Sequence, residues 1–233
     1  MTEDIRTRLD RVQERIHRAA VRAGRNAHEI TLIAVSKTFD AATVQSAVDA
    51  GARDFGENRV QEALTKAPLV RGDHIRWHLI GHLQSNKARA ALEIFDVIHS
   101  IDSLSLVERL DRISGELGKR PVVLVQVDLG QEATKTGATE GELPEIVEAL
   151  GHAAHLDFRG LMTLPPFFED AEEARGYFRR LREIREGINH ARTSEHHLTE
   201  LSMGMSHDFE VAIEEGATMV RVGTAIFGER VKH

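Results

Sequence analysis

Apolar positions along this chain follow two alternating periods. Over residues 2–23, Ile5, Leu9, Val12, Ile16 and Ala20 recur at helical spacing, with Thr2 placed to cap the start and Gly24 to end it. The run 31–36 that follows has a strand pattern. Asp40 then caps a helix whose Val44, Ala47 and Val48 share one face, and Gly51 closes it. The rhythm repeats. Strand-like runs lie near 53–56, 76–80, 96–100, 121–128, 156–162, 198–202 and 218–222. Helical patterns lie near 58–70, 84–94, 103–117, 140–150, 169–190 and 206–215. Within 103–117, Ser105 and Glu108 are spaced as a capping box, Val107, Leu110 and Ile113 share a face, and Gly118 ends the helix.

Eight strands alternating with helices require parallel pairing with crossover helices. Eight units within 233 residues favour a closed (β/α)₈ barrel of the TIM type, with an extra N-terminal helix, over an open doubly wound sheet. No linker or shift of composition interrupts the chain, so residues 1–233 read as a single domain, with no sequence repeat between units.

Composition narrows the function classes. Hydrophobic residues make up 41% and charged residues 29%, which excludes global disorder. A net charge of −7 without a basic block argues against nucleic acid as a partner. The absence of cysteine excludes disulfides and thiolate metal sites. The N-terminal M-T-E-D-I-R-T-R has no apolar signal core, and no apolar run approaches the ~20 residues of a membrane span. The expectation is a cytoplasmic protein with no membrane partner.

A barrel places functional residues just after its strands, and the unusual residues fall there. Lys37 follows the first strand. Alternation sets it on the face of Ile33 and Val35, where its amine either reaches the barrel mouth, desolvated and nucleophilic, or marks the strand end and turns to water. Asn58 follows the second strand, either beside a ligand or as a helix cap. His78 and His82 flank the end of the third, across a strand end and Gly81, so their spacing is not that of a helical metal pair, and a metal site is not expected. Either histidine could face a cofactor or be structural. The run Leu201–Asp208 offers Ser202, Gly204 and Ser206 for a phosphate cradle, or an ordinary turn with Ser206 as N-cap. Gly223 and Thr224, after strand eight, could complete that cradle, and barrels often bind phosphate in this pair of loops. Arg221 could instead be paired with a carboxylate. Lys135 could meet an anion or only solvent. Residues 175–192 read as a solvated helix face, and His190, His196 and His197 as exposed.

Five stretches together carry a resemblance: A-V-S-K-T at 34–38, F-G-E-N-R-V-Q-E at 55–62, W-H-L-I-G-H-L-Q-S-N-K at 77–87, L-S-M-G-M-S-H-D at 201–208 and R-V-G-T-A-I-F-G-E-R at 221–230. The chain resembles the pyridoxal phosphate homeostasis proteins, a family related to the N-terminal barrel of alanine racemase. The resemblance implies pyridoxal 5′-phosphate (PLP) as cofactor, held as a Schiff base on Lys37. It implies phosphate contacts from Ser202, Ser206, Gly223 and Thr224, with backbone help near Met203. It places Arg221 against the pyridine nitrogen and Asn58 beside the cofactor. It also implies a role in vitamin B6 and amino-acid balance, with no established turnover.

Racemisation needs two proton-transfer groups flanking Cα. In the related racemases the second is a tyrosine from a second domain of a partner chain. The sequence ends ten residues after Gly223, so that domain is expected to be absent and the protein monomeric. The only tyrosine, Tyr177, falls in an outer helix. An arginine at the pyridine nitrogen disfavours ring protonation and weakens the electron sink. The first expectation is therefore a PLP carrier that serves apo PLP-enzymes as clients. A weak PLP-dependent racemase and a Schiff-base phosphosugar enzyme are the alternatives.

Overall fold

The computed structural model describes residues 4–130, 136–191 and 197–229. Eight parallel strands close into one barrel in chain order: β1 Thr31–Val35, β2 Asp54–Glu57, β3 Arg76–Leu79, β4 Val97–Ile101, β5 Val122–Gln126, β6 Asp157–Met162, β7 Glu200–Met205 and β8 Met219–Val222. β1 closes against β8 with Ile33 opposite Arg221. The helices α2 Ala41–Asp49, α3 Val60–Lys66, α4 Ala88–Ile94, α5 Leu104–Leu117, α6 Leu143–His152, α7 Arg175–Ala191, α8 Phe209–Glu214 and the four-residue α9 Thr224–Phe227 each follow one strand.

The extra helix, α1 Ile5–Arg22, precedes the barrel and buries Leu9, Val12, Ile16, Ala19 and Ala20. Its N-cap is Asp4, whose carboxylate accepts from Thr7 N at 2.7 Å, in place of Thr2, which lies outside the described residues. The helix packs on α8 and α9. The Arg15 guanidinium pairs with Glu210 at 2.8 Å and stands 4.5 Å over the Phe209 ring, and Arg25 donates to the carbonyls of Ile213 and Ala217.

Side chains alternate between two cores, as pleated strands require. Outward residues such as Ala34, Phe55, Leu79, Leu161, Leu201 and Val220 join the shell between barrel and helices. Inward residues Ile33, Val97, Leu124, Met162 and Met219 form a separate apolar cluster inside the barrel. The remaining inward positions at that depth include polar groups: His78, His99, Ser202 and Arg221 are all buried.

Three local expectations change. α5 begins after Ser103, so Ser105 lies inside the helix and the Ser105–Glu108 capping box does not form. Asn58 does not cap α3; Arg59 holds the N-cap position without a side-chain cap bond. The α7 face is not simply solvated. Arg175, Arg179 and Arg182 converge on the buried Glu215 at 3.0–3.1 Å. By contrast, Asp40 caps α2 by accepting from Thr43 N at 2.8 Å, and Gly118 takes the left-handed C-cap of α5.

Candidate functional site

The loops after the strands enclose one cavity of about 510 Å³. Lys37, Asn58, Ser206, Arg221, Gly223 and Thr224 all line it. Residues that the sequence did not single out complete the wall. Val35, Ile80 and Leu164 make it partly apolar, Gln126 lies at the end of β5, and Phe167 stands highly exposed at the rim.

Lys37 reaches this wall because β1 alternates inward through Ile33 and Val35. Its neighbours are pinned. The buried Ser36 hydroxyl donates to Glu57 Oε1 at 2.7 Å, and Lys66 Nζ donates to the Ser36 carbonyl at 2.9 Å and to Glu57 Oε1 at 2.6 Å. On the other side Thr38 N donates to Glu62 Oε1, and Thr38 itself adopts φ 71°, a left-handed conformation that a β-branched residue holds only when its surroundings insist. Two carboxylates and a buried ammonium therefore fix the backbone on both sides of Lys37. Burial pushes the Glu57 carboxyl up, against the pull of Lys66 and Ser36.

Asn58 is set by close backbone contact. A Cβ on Gly81 would lie 2.3 Å from the Asn58 carbonyl oxygen, so only glycine lets the β3 loop pass behind Asn58. At the opposite wall the last two loops are tied together, because Gly223 N donates to Ser206 Oγ at 3.2 Å. α9 starts at Thr224; the amides of Ile226 and Phe227 both donate to the Gly223 carbonyl at 2.9 Å, which leaves those of Thr224 and Ala225 without an intrahelical acceptor. The α8 N-cap is Asp208, so Ser206 is not spent as a helix cap.

Arg221 is almost fully buried, yet it lines the cavity. Its Nη1 donates to Ser202 Oγ at 2.5 Å and its Nη2 to the Thr163 carbonyl at 2.9 Å. Burial pulls the guanidinium down to about 10, and the charge of Asp208 opposes the drop, so it stays cationic at neutral pH.

One expected side-chain contact does not reach the wall. Ser202 lies fully buried beneath Arg221, its hydroxyl shared with His99 Nδ1 at 2.9 Å. The backbone help expected near Met203 is not decided by its side chain, which is buried in the outer shell. His78 is buried under the floor, 2.9 Å from both His99 and Asp54, whereas His82 lies at the rim and pairs with Asp102 at 3.2 Å. His99 was missed altogether, although its place in V-I-H-S-I, two residues after the inward Val97, carries the signal. Lys135 lies outside the described residues; nearby Thr136 lines the cavity. His196 is also outside them, and His190 and His197 are exposed. Tyr177 sits on α7 against Phe168, with ring centroids 5.8 Å apart. Among the described residues no group of three or more His, Asp or Glu could hold a metal ion, and no helix is long and apolar enough to cross a membrane.

The family model of the alanine racemase N-terminal domain matches residues 7–231. The chain is 42% identical over 223 residues to the pyridoxal phosphate homeostasis protein of Aquifex aeolicus, covering 96% of this chain and 97% of that protein. It is 42% identical over 231 residues to the protein of the same name from Escherichia coli K12, covering 97% of each. The solved structure of PipY from Synechococcus elongatus PCC7942 with PLP bound is 43% identical, with a TM-score of 0.83 over 97% of this chain and 100% of that one. The alanine racemase of Clostridium difficile 630 shares the fold at 16% identity, with a TM-score of 0.72 over 99% of this chain and 58% of that one. On this sequence identity along nearly its whole length, the chain belongs to the pyridoxal phosphate homeostasis protein family, whose barrel is that of the alanine racemase N-terminal domain.

Proposed function

We propose that this protein binds PLP in the cavity at the ends of the strands, with Lys37 as its covalent anchor, and serves intracellular PLP balance as a carrier. The observation that carries the reading is the joint placement of one strand-end amine, a tied pair of terminal loops and a buried arginine around a single cavity. PLP supplies an aldehyde that condenses with amines and a ring that can draw electrons from what it holds.

The residues fit each part of that molecule. The Lys37 amine, held by its pinned neighbours, is the nucleophile for the aldehyde carbon. Ser206 already accepts from Gly223 N, so its own hydrogen can donate to a phosphate oxygen. The two open amides, of Thr224 and Ala225, can donate to the same anion. Asn58 flanks the ring, and Arg221 presents a cation toward its nitrogen, which opposes protonation there. Ser202 acts behind Arg221 in this reading and not on the phosphate.

A carrier role is supported by the relatives' names. We read the protein as a cytoplasmic monomer, one domain throughout, that delivers PLP to apo-enzymes. The test is the visible spectrum of the protein loaded with PLP. A yellow band is expected, and borohydride followed by peptide mapping should place the cofactor on Lys37. A Lys37→Ala protein that keeps the band unchanged overturns the anchor. Exchange of the α-hydrogen of amino acids at enzymatic rates overturns the carrier role.

A further inference from the structure

We propose that Ser202, His99 and His78 are positioning residues for Arg221, joined in a hydrogen-bond chain of one direction that runs under the cavity to Asp54. The chain passes from Arg221 Nη1 to Ser202 Oγ at 2.5 Å, from Ser202 Oγ to His99 Nδ1 at 2.9 Å, from His99 Nε2 to His78 Nδ1 at 2.9 Å, and from His78 Nε2 to Asp54 Oδ1 at 2.9 Å. His78, His99 and Ser202 are fully buried, and Asp54 opens toward Arg76 at 2.7 Å.

The direction follows from counting hydrogens. A guanidinium only donates, so Ser202 Oγ accepts from it. The Ser202 hydrogen then points to His99 Nδ1, which must be unprotonated. His99 therefore carries its hydrogen on Nε2 and donates it to His78 Nδ1. His78 carries its hydrogen on Nε2 and donates it to the Asp54 carboxylate. Every buried donor and acceptor along the line is satisfied with both imidazoles neutral.

The reverse arrangement is costly. A hydrogen on His99 Nδ1 would require a second one on His78 and would take from the Ser202 hydrogen its acceptor in the chain. A cation and an unmet donor would then both be buried. Burial keeps His99 neutral, and the charge of Arg221 from β8 reinforces it, while the uncharged His78 from β3 only accepts its hydrogen. Asp54 from β2 faces His78, with Arg76 of β3 beyond it, and Asp208 faces Arg221. The other inward residues at this depth, Ile33, Val97, Leu124, Met162 and Met219, are apolar.

The chain therefore offers Arg221 an oxygen lone pair from below, while the Thr163 carbonyl takes the other terminal nitrogen. The guanidinium is held at two points and keeps its charge. Four strands, β2, β3, β4 and β7, set its aim through this line. The part of the inference that concerns PLP rests on the reading above, but the hydrogen-bond chain belongs to the protein alone.

Two measurements separate these. In ligand-free protein, nitrogen-15 spectra of the imidazoles should show His99 as the Nε2–H tautomer, with no titration from pH 8 to 5. A hydrogen on Nδ1, or a charged His99 within that range, overturns the chain. In PLP-loaded protein, Ser202→Ala and His99→Leu should each weaken PLP binding by about 10-fold, the loss of one buried hydrogen bond. His99→Gln, whose amide both accepts and donates, should recover to within about threefold of wild type. Ser202→Ala should add nothing to Arg221→Lys, because the two act through one contact. Additive losses, or no rescue by glutamine in a protein of native unfolding midpoint, overturn the positioning role. If the wild-type protein takes up no PLP, the cofactor reading fails, and the tautomer of His99 still decides the chain.

Discussion

Lys66 shows how much of this site depends on residues that never touch the cavity. Its ammonium is buried and meets Glu57 Oε1 at 2.6 Å, Glu62 Oε1 at 3.1 Å and the Ser36 carbonyl at 2.9 Å. Glu57 Oε2 is buried without a hydrogen-bond partner. Breaking a buried pair from one side leaves an uncompensated charge, which costs about 3–5 kcal/mol. Lys66→Met should lower the urea midpoint accordingly and loosen the backbone around Lys37. Adding Glu57→Gln should return most of the loss, because the stranded charge is then gone. If the double variant is no more stable than Lys66→Met, the cost lies in packing and not in charge. No period in the sequence marks this cluster, because Lys66 alone reads as an ordinary solvated lysine near a helix end.

At the scale of elements, the alternating pattern was enough to place every strand of the barrel, and the reason is physical. A strand buried on both faces is a short apolar run, and each such run stands between helix signals. Two ends were not legible. β7 continues to Met205, past the predicted 202, because S-M-G-M-S has the composition of a turn. α9 has four residues, too few to show a period. The cavity residues were legible as strand-end oddities, but Ser202 was assigned to phosphate because chain position cannot tell the floor of a barrel from its mouth. The serine cap of α5 also differs from expectation, since a capping box needs its serine at the N-cap, the place of Ser103, and Ser105 is the second residue of α5. Asp40→Ala should therefore cost about 1 kcal/mol of stability, as the loss of a working N-cap does. Ser105→Ala should stay within about 0.5 kcal/mol. Chemical unfolding of the two variants side by side checks this, and equal losses would contradict the cap assignment.

For the whole molecule, acid should act in two stages. Burial, with the charge of Arg221, holds the His99 imidazole well below the usual value of 6.5. The unfolded chain therefore takes up a proton below about pH 6.5 that the folded protein refuses, so stability is lost as pH falls. The slope for one proton is about 1.4 kcal/mol per pH unit. Below the usual carboxylate value of 4.5 a second stage begins. Arg175 holds Glu172 and Glu214 low, Arg180 holds Glu140 low, and Arg179 and Arg175 outweigh the burial of Glu215. The support of these carboxylates is present above their unfolded values and disappears as they protonate. Glu57 and Asp208, both pushed up by burial, run the opposite way but are fewer. Melting temperature against pH should fall from about pH 6.5 and steepen below about 4.5. His99→Gln should remove the first decline and keep the second.

The helix outside the eightfold pattern also matters for the cavity. α1 grips α8 and α9, the two elements rooted directly behind Ser206 and Thr224. It works as a buttress at the seam where the last strand meets the first. A change at Leu9 or Val12, on the far side of the wall from the cavity, would therefore reach the Ser206–Gly223 tie through rigid bodies, and on the reading proposed above the grip on a phosphate would loosen before the barrel itself gave way.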